Sequence, residues 1–377
     1  MQYRTLGNTG IRVSALGYGA MRLPMRPGGE RTDVDEEKAV ECIHRAFDLG
    51  VNYIDTAHGY HGGESEVVVG KAVDGRRDQI IVSTKNPYRK SDADEWRRTL
   101  DLSLDRLKLD YIDLLLIHYV SYSEVVGPMA GPGNSLEAAL KAKEEGLFQH
   151  FCFSSHDTPE NIIKLIDTGM FATMTVQYNL LDRANEEAIA YAHEKGMGVI
   201  IMGPIGGGRL VEPSEFQKAI PGGAKSTPEI ALRFVLSNPA VSTALSGMNA
   251  IEQVEENCAS ASREEPLSAG EVAQVEQMLQ DRQKLAELYC TGCNYCLPCP
   301  NDVNIPACFR AMNLERVYGL HAHAKREYRS IKPDAKQADK KGERADACQE
   351  CGKCEEKCPQ DIPIMEQLKE VAKTLGE

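Results

Sequence analysis

The 377-residue chain has no apolar run long enough to cross a bilayer, so a membrane-spanning helix is not expected. Its opening Met1-Gln2-Tyr3-Arg4-Thr5 carries neither the basic cap nor the apolar stretch of a secretory leader, and a cytoplasmic location is expected. Positive charge is in short supply. Lys and Arg number 43 against 56 Asp and Glu, a formal net charge of -13. A general nucleic-acid binder needs a basic face for phosphate contacts, so that class is set aside as well. A Gly-x-Gly-x-x-Gly turn after the first apolar run is also missing, which argues against a doubly wound sheet.

What is present is an ordinary globular composition, 42% hydrophobic and 26% charged, with room for one large domain and a smaller one. Short apolar runs rich in Val, Ile, Leu and Phe recur at 14–19, 51–55, 79–85, 112–118, 149–155, 173–178, 198–203 and 241–247. They show little alternation, as parallel strands buried on both faces should. The stretches between them read as helices. In the first, Asp33 is a candidate cap, Ala39, Ile43, Ala46 and Phe47 form an apolar face, and Gly50 ends it. Eight such units in about 250 residues predict a (β/α)8 TIM barrel over 1–262, an α/β fold. A capping box at Ser268–Glu271 then opens a connecting helix over 263–289, with Val272, Val275, Met278, Leu279, Leu285 and Leu288 at helical spacing.

Residues 290–377 carry the second domain and most of the cysteines. Of 12 in the chain, Cys42, Cys152, Cys258 and Cys308 are scattered and read as buried core residues. The other eight form two groups: Cys290, Cys293, Cys296 and Cys299, then Cys348, Cys351, Cys354 and Cys358. Grouped cysteines without a secretory leader read as metal or cluster ligands rather than disulfides. The groups repeat one another, since Cys299-Pro300-Asn301-Asp302-Val303 echoes Cys358-Pro359-Gln360-Asp361-Ile362. Zinc is the alternative occupant, but zinc sites usually pair two Cys-x-x-Cys units across a spacer rather than placing four cysteines in one run. The second group follows the bacterial ferredoxin spacing, and this part resembles a ferredoxin with two 4Fe-4S clusters. The resemblance implies one cluster on Cys290, Cys293, Cys296 and Cys358, and the other on Cys348, Cys351, Cys354 and Cys299. The segment 309–347 between the groups holds ten Lys or Arg against six Asp or Glu; it reads as a solvated linker and helix, with a docking surface for an acidic electron carrier as the sharper alternative.

In a barrel, chemistry belongs at the C-terminal ends of the strands. The second run ends in Asp55, with Tyr60 five residues on; the third ends in Lys85 and the fourth in His118. Reduction of a carbonyl by hydride needs a proton donor for the developing alkoxide. A phenol such as Tyr60 suits that role beside a cation: the Lys85 ammonium favours the phenolate, and Asp55 keeps the lysine charged and oriented. His118 is placed to donate a hydrogen bond to the carbonyl oxygen. His58, His61 and His156 fall near the same face, where a hydrolytic metal site is the rival reading; Tyr60 and Lys85 suit hydride chemistry better.

These four residues, with the opening Tyr3-Arg4-Thr5-Leu6-Gly7-Asn8-Thr9-Gly10-Ile11-Arg12-Val13-Ser14, resemble the aldo-keto reductase family over 1–262, and with the cysteine segment its iron–sulfur subgroup. The resemblance implies an NAD(P)H cofactor. Ser154, Ser155 and Gln177 would stand at the carboxamide, with Ser155 where the family often has Asn. Met202 would stand at the nicotinamide ring, where many members have an aromatic. Gly203 and Gly206, in the loop 203–210, would lie over the pyrophosphate, and Gly247, Glu256 and Asn257 near the adenine end. Members that prefer NADPH often carry Lys or Arg near Gly247 and Gln253; none is adjacent in this sequence, which favours NADH.

The leading expectation is an oxidoreductase that interconverts an aldehyde or ketone and its alcohol, with Tyr60 as general acid and base. The clusters would be structural or would exchange electrons with a partner protein. The rivals are a redox-sensing nucleotide-binding module and an iron–sulfur-dependent reductase fed by a ferredoxin-like partner. A nicotinamide passes a hydride and a cluster one electron at a time, and no flavin signature that would join them is found in the sequence.

Overall fold

The computed structural model describes residues 1–28, 32–87, 92–131, 133–206, 210, 226–263, 267–287, 296–358 and 362–376. Among the expected positions, Leu288, Cys290, Cys293, Pro359, Gln360 and Asp361, and 207–209 of the loop 203–210, lie outside the described residues. The chain divides into two compact units, one within 1–208 and 231–266 and the other within 209–230 and 267–377.

In the first unit, eight described strands close into a barrel of parallel neighbours. They are β3 (Leu16–Gly19), β4 (Tyr53–Asp55), β5 (Ile81–Pro87), β6 (Ile112–His118), β7 (Phe148–Ser154), β8 (Thr173–Gln177), β9 (Gly198–Met202) and β10 (Thr243–Ser246), with β10 returning to β3. Each falls within two residues of an expected run, because a parallel strand covered on both faces must be apolar at nearly every position. Leu114, Leu115 and Leu116 of β6, for example, are all fully buried.

Two further strands, β1 (Tyr3–Thr5) and β2 (Arg12–Ser14), form the opening antiparallel hairpin. Its Leu6 and Val13 join Tyr53, Leu114, Leu116, Cys152, Ile200 and Leu245 in one buried cluster. Gly7 makes this possible: at φ +51° it lies so close to the backbone of residues 196–198 that a Cβ would collide with it.

Helix α1 (Glu36–Asp48) buries Ala39, Cys42, Ile43, Ala46 and Phe47, as the apolar spacing predicts. Its cap is Asp35, which accepts from Lys38 N–H, and not the expected Asp33. Asp33 and Val34 are engaged elsewhere: Asp33 O accepts from Arg26 N–H at 2.9 Å and Val34 bridges Met25, so the helix begins after them. Helices α2 (Glu64–Val73) and α3 (Ala93–Leu107) follow β4 and β5. Then come α4 (Tyr122–Val126), α5 (Ser135–Glu144), α6 (Pro159–Asp167), α7 (Glu186–Glu194), α8 (Thr227–Ser237) and α9 (Ile251–Ala261).

The second unit contains α10 (Ala269–Glu287), α11 (Ile305–Tyr318), α12 (His321–Arg329) and α13 (Ile364–Leu375). The box at the start of α10 is formed: Ser268 N–H donates to Glu271 Oε2 at 2.7 Å and Glu271 N–H to Ser268 Oγ at 3.2 Å. The segment 309–347 is helical in part, as expected, but it is not solvated throughout. Phe309, Ala311, Met312, Ala324, Tyr328, Ile331 and Ala345 are buried in one core with Val303, Ile362, Leu368 and Val371. Five of its ten basic residues lie on α11 and α12, whose inner faces are apolar, and the other five follow α12, so a charge count averages buried and exposed faces together. The internal repeat is visible here, since Val303 and Ile362, four residues after Cys299 and Cys358, enter the same core just before α11 and α13.

Candidate active site

Asp55 is the last residue of β4, Lys85 the fifth of β5 and His118 the last of β6, three adjacent strands of the barrel. Tyr60 opens the short 3-10 turn Tyr60–Gly63 that follows β4. The backbone turns back there through three successive left-handed residues, His61 at φ +51°, Gly62 at +68° and Gly63 at +107°.

The four side chains converge. The Lys85 ammonium donates to Asp55 Oδ1 and, at 2.8 Å, to Thr56 O, while Ser83 Oγ donates to Asp55 Oδ2 at 2.9 Å. Lys85 and Asp55 are both nearly fully buried. The ammonium lies 4.8 Å from the centre of the Tyr60 ring. The His118 ring meets the Tyr60 ring edge-on, with centroids 5.7 Å apart. Burial alone would push the Lys85 ammonium down, but Asp55 and the hydrogen-bonded Tyr60 outweigh it and the net shift is upward. His118 goes the other way: burial first, then Lys85 and His156, lower its imidazole to about 3. At neutral pH this corner therefore holds an ammonium and a neutral imidazole beside the Tyr60 ring.

The remaining histidines have separate engagements. His58 Nδ1 lies 3.4 Å from both Ser103 Oγ and Arg106 Nη1. His61 Nε2 accepts a long hydrogen bond from Leu23 N–H at 3.5 Å. His156 stacks on Tyr119 at 4.4 Å, and Tyr119 stands 65% exposed beside His118 with its N–H on Ser154 Oγ at 3.1 Å. No three His, Cys, Asp or Glu among the described residues are grouped as metal ligands.

The expected cofactor residues lie along the ends of the next four strands. Ser154 ends β7, Gln177 ends β8 and Met202 ends β9, with Gly203 directly after it. Gly203, at φ +64°, faces the Gln177 carboxamide so closely that a Cβ would overlap it. Its carbonyl accepts from Asn179 Nδ2 and from the N–H of Gly206, both at 2.9 Å. The absence of a side chain at Gly203 is what lets the Gln177 carboxamide lie against this backbone. Ser155, directly after Ser154, has its hydroxyl engaged by the protein itself. Its hydroxyl donates to Val120 O at 2.7 Å and accepts from Asp157 N–H at 3.1 Å, so it braces the loop after β6. Asn257 is buried with its amide on Ser246 Oγ at 3.2 Å, whereas Glu256 on the same helix is exposed.

The structure adds a cation that the sequence reading did not place. Arg22, exposed on the loop after β3, lays its aliphatic stem against Gly247 at the end of β10. Closure of β10 onto β3 brings them together across 225 positions of sequence, so no local motif marks the pair.

In the second unit, Cys296, Cys299, Cys348, Cys354 and Cys358 pack partly buried against the apolar core, and Cys351 is exposed. None of the described cysteines is in a disulfide. Glu350 N–H points at Cys348 Sγ at 3.4 Å, the kind of amide donor that steadies a thiolate. This donor set, all sulfur and backed by an apolar core, fits iron–sulfur clusters. The scattered Cys42, Cys152, Cys258 and Cys308 are buried as expected.

Comparison with known proteins settles the family. Residues 15–280 match the model of the Aldo/keto reductase family. The chain belongs to that family. Residues 289–363 match the 4Fe-4S dicluster domain, so this aldo/keto reductase is an oxidoreductase with an iron–sulfur domain after its barrel. It is 30% identical to the L-galactose dehydrogenase of Arabidopsis thaliana, over 76% of this chain and 96% of that protein. It is 27% identical to the NADH-specific methylglyoxal reductase of Escherichia coli, over 67% and 91% respectively. Among solved structures, the holo form of an aldo-keto reductase from Bacillus halodurans superposes with a TM-score of 0.63 at 29% identity, covering 74% of this chain and 96% of that one. An aldo/keto reductase from Klebsiella pneumoniae in complex with NADP and acetate superposes at 0.62 with 25% identity, covering 74% and 95%.

Proposed function

We propose that the barrel interconverts an aldehyde or ketone and its alcohol, with Tyr60 as general acid and base. NAD(P)H, when bound, supplies the hydride. The Tyr60 hydroxyl gives its proton to the carbonyl oxygen as negative charge develops there, and takes it back in the reverse direction. The phenolate left behind faces the Lys85 ammonium, which Asp55 and Thr56 O hold in place. Neutral His118 orients the carbonyl oxygen with a hydrogen bond instead of competing for the proton. The observation that carries this reading is the 4.8 Å approach of a buried, carboxylate-anchored ammonium to the Tyr60 ring.

Ser154, Ser155, Gln177 and Met202 would hold the nicotinamide end, Gly203 and Gly206 the pyrophosphate, and Gly247, Glu256 and Asn257 the adenine end. No Lys or Arg neighbours Gly247 or Gln253 in sequence, which favours NADH, whereas Arg22 lies against Gly247 in the fold, so both nucleotides belong in the test. Full-length protein with reconstituted clusters is mixed with NADH or NADPH deuterated at the transferring position and a panel that includes methylglyoxal and aldoses. Deuterium on the carbinol carbon of the product supports the reading. Tight nucleotide binding with no turnover across the panel supports the sensor instead.

The two clusters, on the eight cysteines named above, staple the second unit and meet an electron-transfer partner rather than the barrel's hydride. The packing of five of the ligands on one apolar core supports the first role, and the exposure of Cys351 supports the second. NADH added without substrate should leave the clusters oxidised while dithionite reduces them. Fast cluster reduction by NADH would overturn this assignment.

A further inference from the structure

The geometry points to Arg106, with Glu66, as the positioning residue that holds the Tyr60 turn in register with the Lys85 strand; the inference rests on the reading of Tyr60 as the general acid. Arg106 lies in the last turn of α3, and neither the strand ends nor the cofactor positions include it. Its Nη1 donates to His58 O at 3.1 Å and to Glu66 Oε2 at 3.2 Å. The guanidinium also covers Gly63, where a Cβ would collide with it. His58 and Gly63 are the two shoulders of the turn that presents Tyr60, so one planar group touches both.

Glu66 closes the circuit. It is fully buried near the start of α2, and its other oxygen accepts from Thr84 Oγ1 at 2.7 Å. Thr84 precedes Lys85 in β5, and Lys85 O accepts from His58 N–H at 3.1 Å. The chain of contacts thus runs Arg106, Glu66, Thr84–Lys85, His58 and back to Arg106. A carboxylate removed from water persists when it is paired and hydrogen-bonded, and here its partners are the two segments that carry the acid and the ammonium. The turn itself cannot supply this rigidity. Its three left-handed residues are a conformation that a glycine pair permits but does not enforce. An external clasp fixes where the Tyr60 oxygen stands relative to Lys85.

Arg106 touches neither Tyr60 nor the lysine side chain, so its loss acts through geometry. A displacement of about 1 Å in a reacting group costs on the order of 100-fold in rate. The test compares Arg106→Lys, Arg106→Ala and Tyr60→Phe in the full-length, cluster-reconstituted protein with methylglyoxal or whichever aldehyde turns over best. Arg106→Lys keeps a cation for Glu66 but loses the fork that reaches His58 O and covers Gly63. It is expected to melt cooperatively and bind NAD(P)H within about twofold of wild type, while kcat falls on the order of 100-fold. Added guanidinium ion, but not sodium at equal ionic strength, is expected to restore part of the Arg106→Ala rate. Arg106→Lys with wild-type kcat, or Arg106→Ala whose only change is a lower melting temperature, would overturn the inference. Full activity in Tyr60→Phe would instead overturn the assignment on which it rests.

Discussion

Lys85 donates through one ammonium to the Asp55 carboxylate and to the carbonyl of Thr56, and the same ammonium lies 4.8 Å from the ring of Tyr60. A charge fixed in this way serves the chemical step because it needs no rearrangement when the phenolate forms. Lys85→Met is expected to lower kcat on the order of 100-fold. It would also strand the buried Asp55, at a cost of about 3–5 kcal/mol. Asp55→Asn with Lys85→Met should recover much of the stability and none of the rate. Thermal melts and steady-state kinetics on the three proteins check this; rate recovery in the double variant would count against it.

The depressed imidazole of His118 sets a pH signature. Burial first, then Lys85 and His156, lower its pKa to about 3 from an ordinary value of 6.5. The native state therefore binds fewer protons than the unfolded chain between about pH 3 and 6.5, and stability must fall as the pH is lowered through that window. His118→Asn is expected to flatten part of this loss. Urea midpoints read from the fluorescence of Trp96, the single tryptophan and a buried residue of α3, follow the barrel alone. For the same reason kcat should show no limb near 6.5 that His118→Asn removes.

Arg22 bears on nucleotide choice. Its stem rests on Gly247, near where the adenine ribose is expected, and the residue is exposed. Arg22→Gln should raise KM for NADPH about 10-fold, the order of one exposed charge-assisted hydrogen bond, and leave KM for NADH nearly unchanged. Equal effects on both nucleotides would move Arg22 away from the 2′-phosphate.

Cys348, with an amide aimed at its sulfur and its side chain against the second core, is the ligand whose loss is easiest to read. Cys348→Ser is expected to lower bound iron by about half and to weaken one EPR signal. Aldehyde turnover should stay within about twofold. Loss of turnover in step with the iron would place a cluster in the barrel's reaction.

Much of the barrel could be read from the sequence because burial on both faces leaves a parallel strand little choice but an apolar run; β6 was expected at Ile112–His118 and lies there. The acid–base residues were legible for a related reason: Asp55 and His118 end their strands, Lys85 lies two residues before the end of β5, and Tyr60 opens the turn after β4. Features made by distant contacts were not. Asp35 caps α1 because Val34 pairs with Met25, which no local capping rule contains. The segment 309–347 looked like a solvated linker because its charged outer faces masked Phe309, Met312 and Tyr328 within. Arg22 meets Gly247 only once β10 closes onto β3, and Arg106 meets His58 and Glu66 only once α3 packs beside the segment after β4.

The most direct test of the account is a single-turnover experiment with the Tyr60→Phe variant of the full-length protein, preloaded with NADH or NADPH and mixed with a turned-over aldehyde. Hydride transfer is expected to slow by about 100- to 10,000-fold while nucleotide affinity stays within about twofold of wild type. A transfer rate equal to that of wild type would show that the proton comes from elsewhere and would contradict the account.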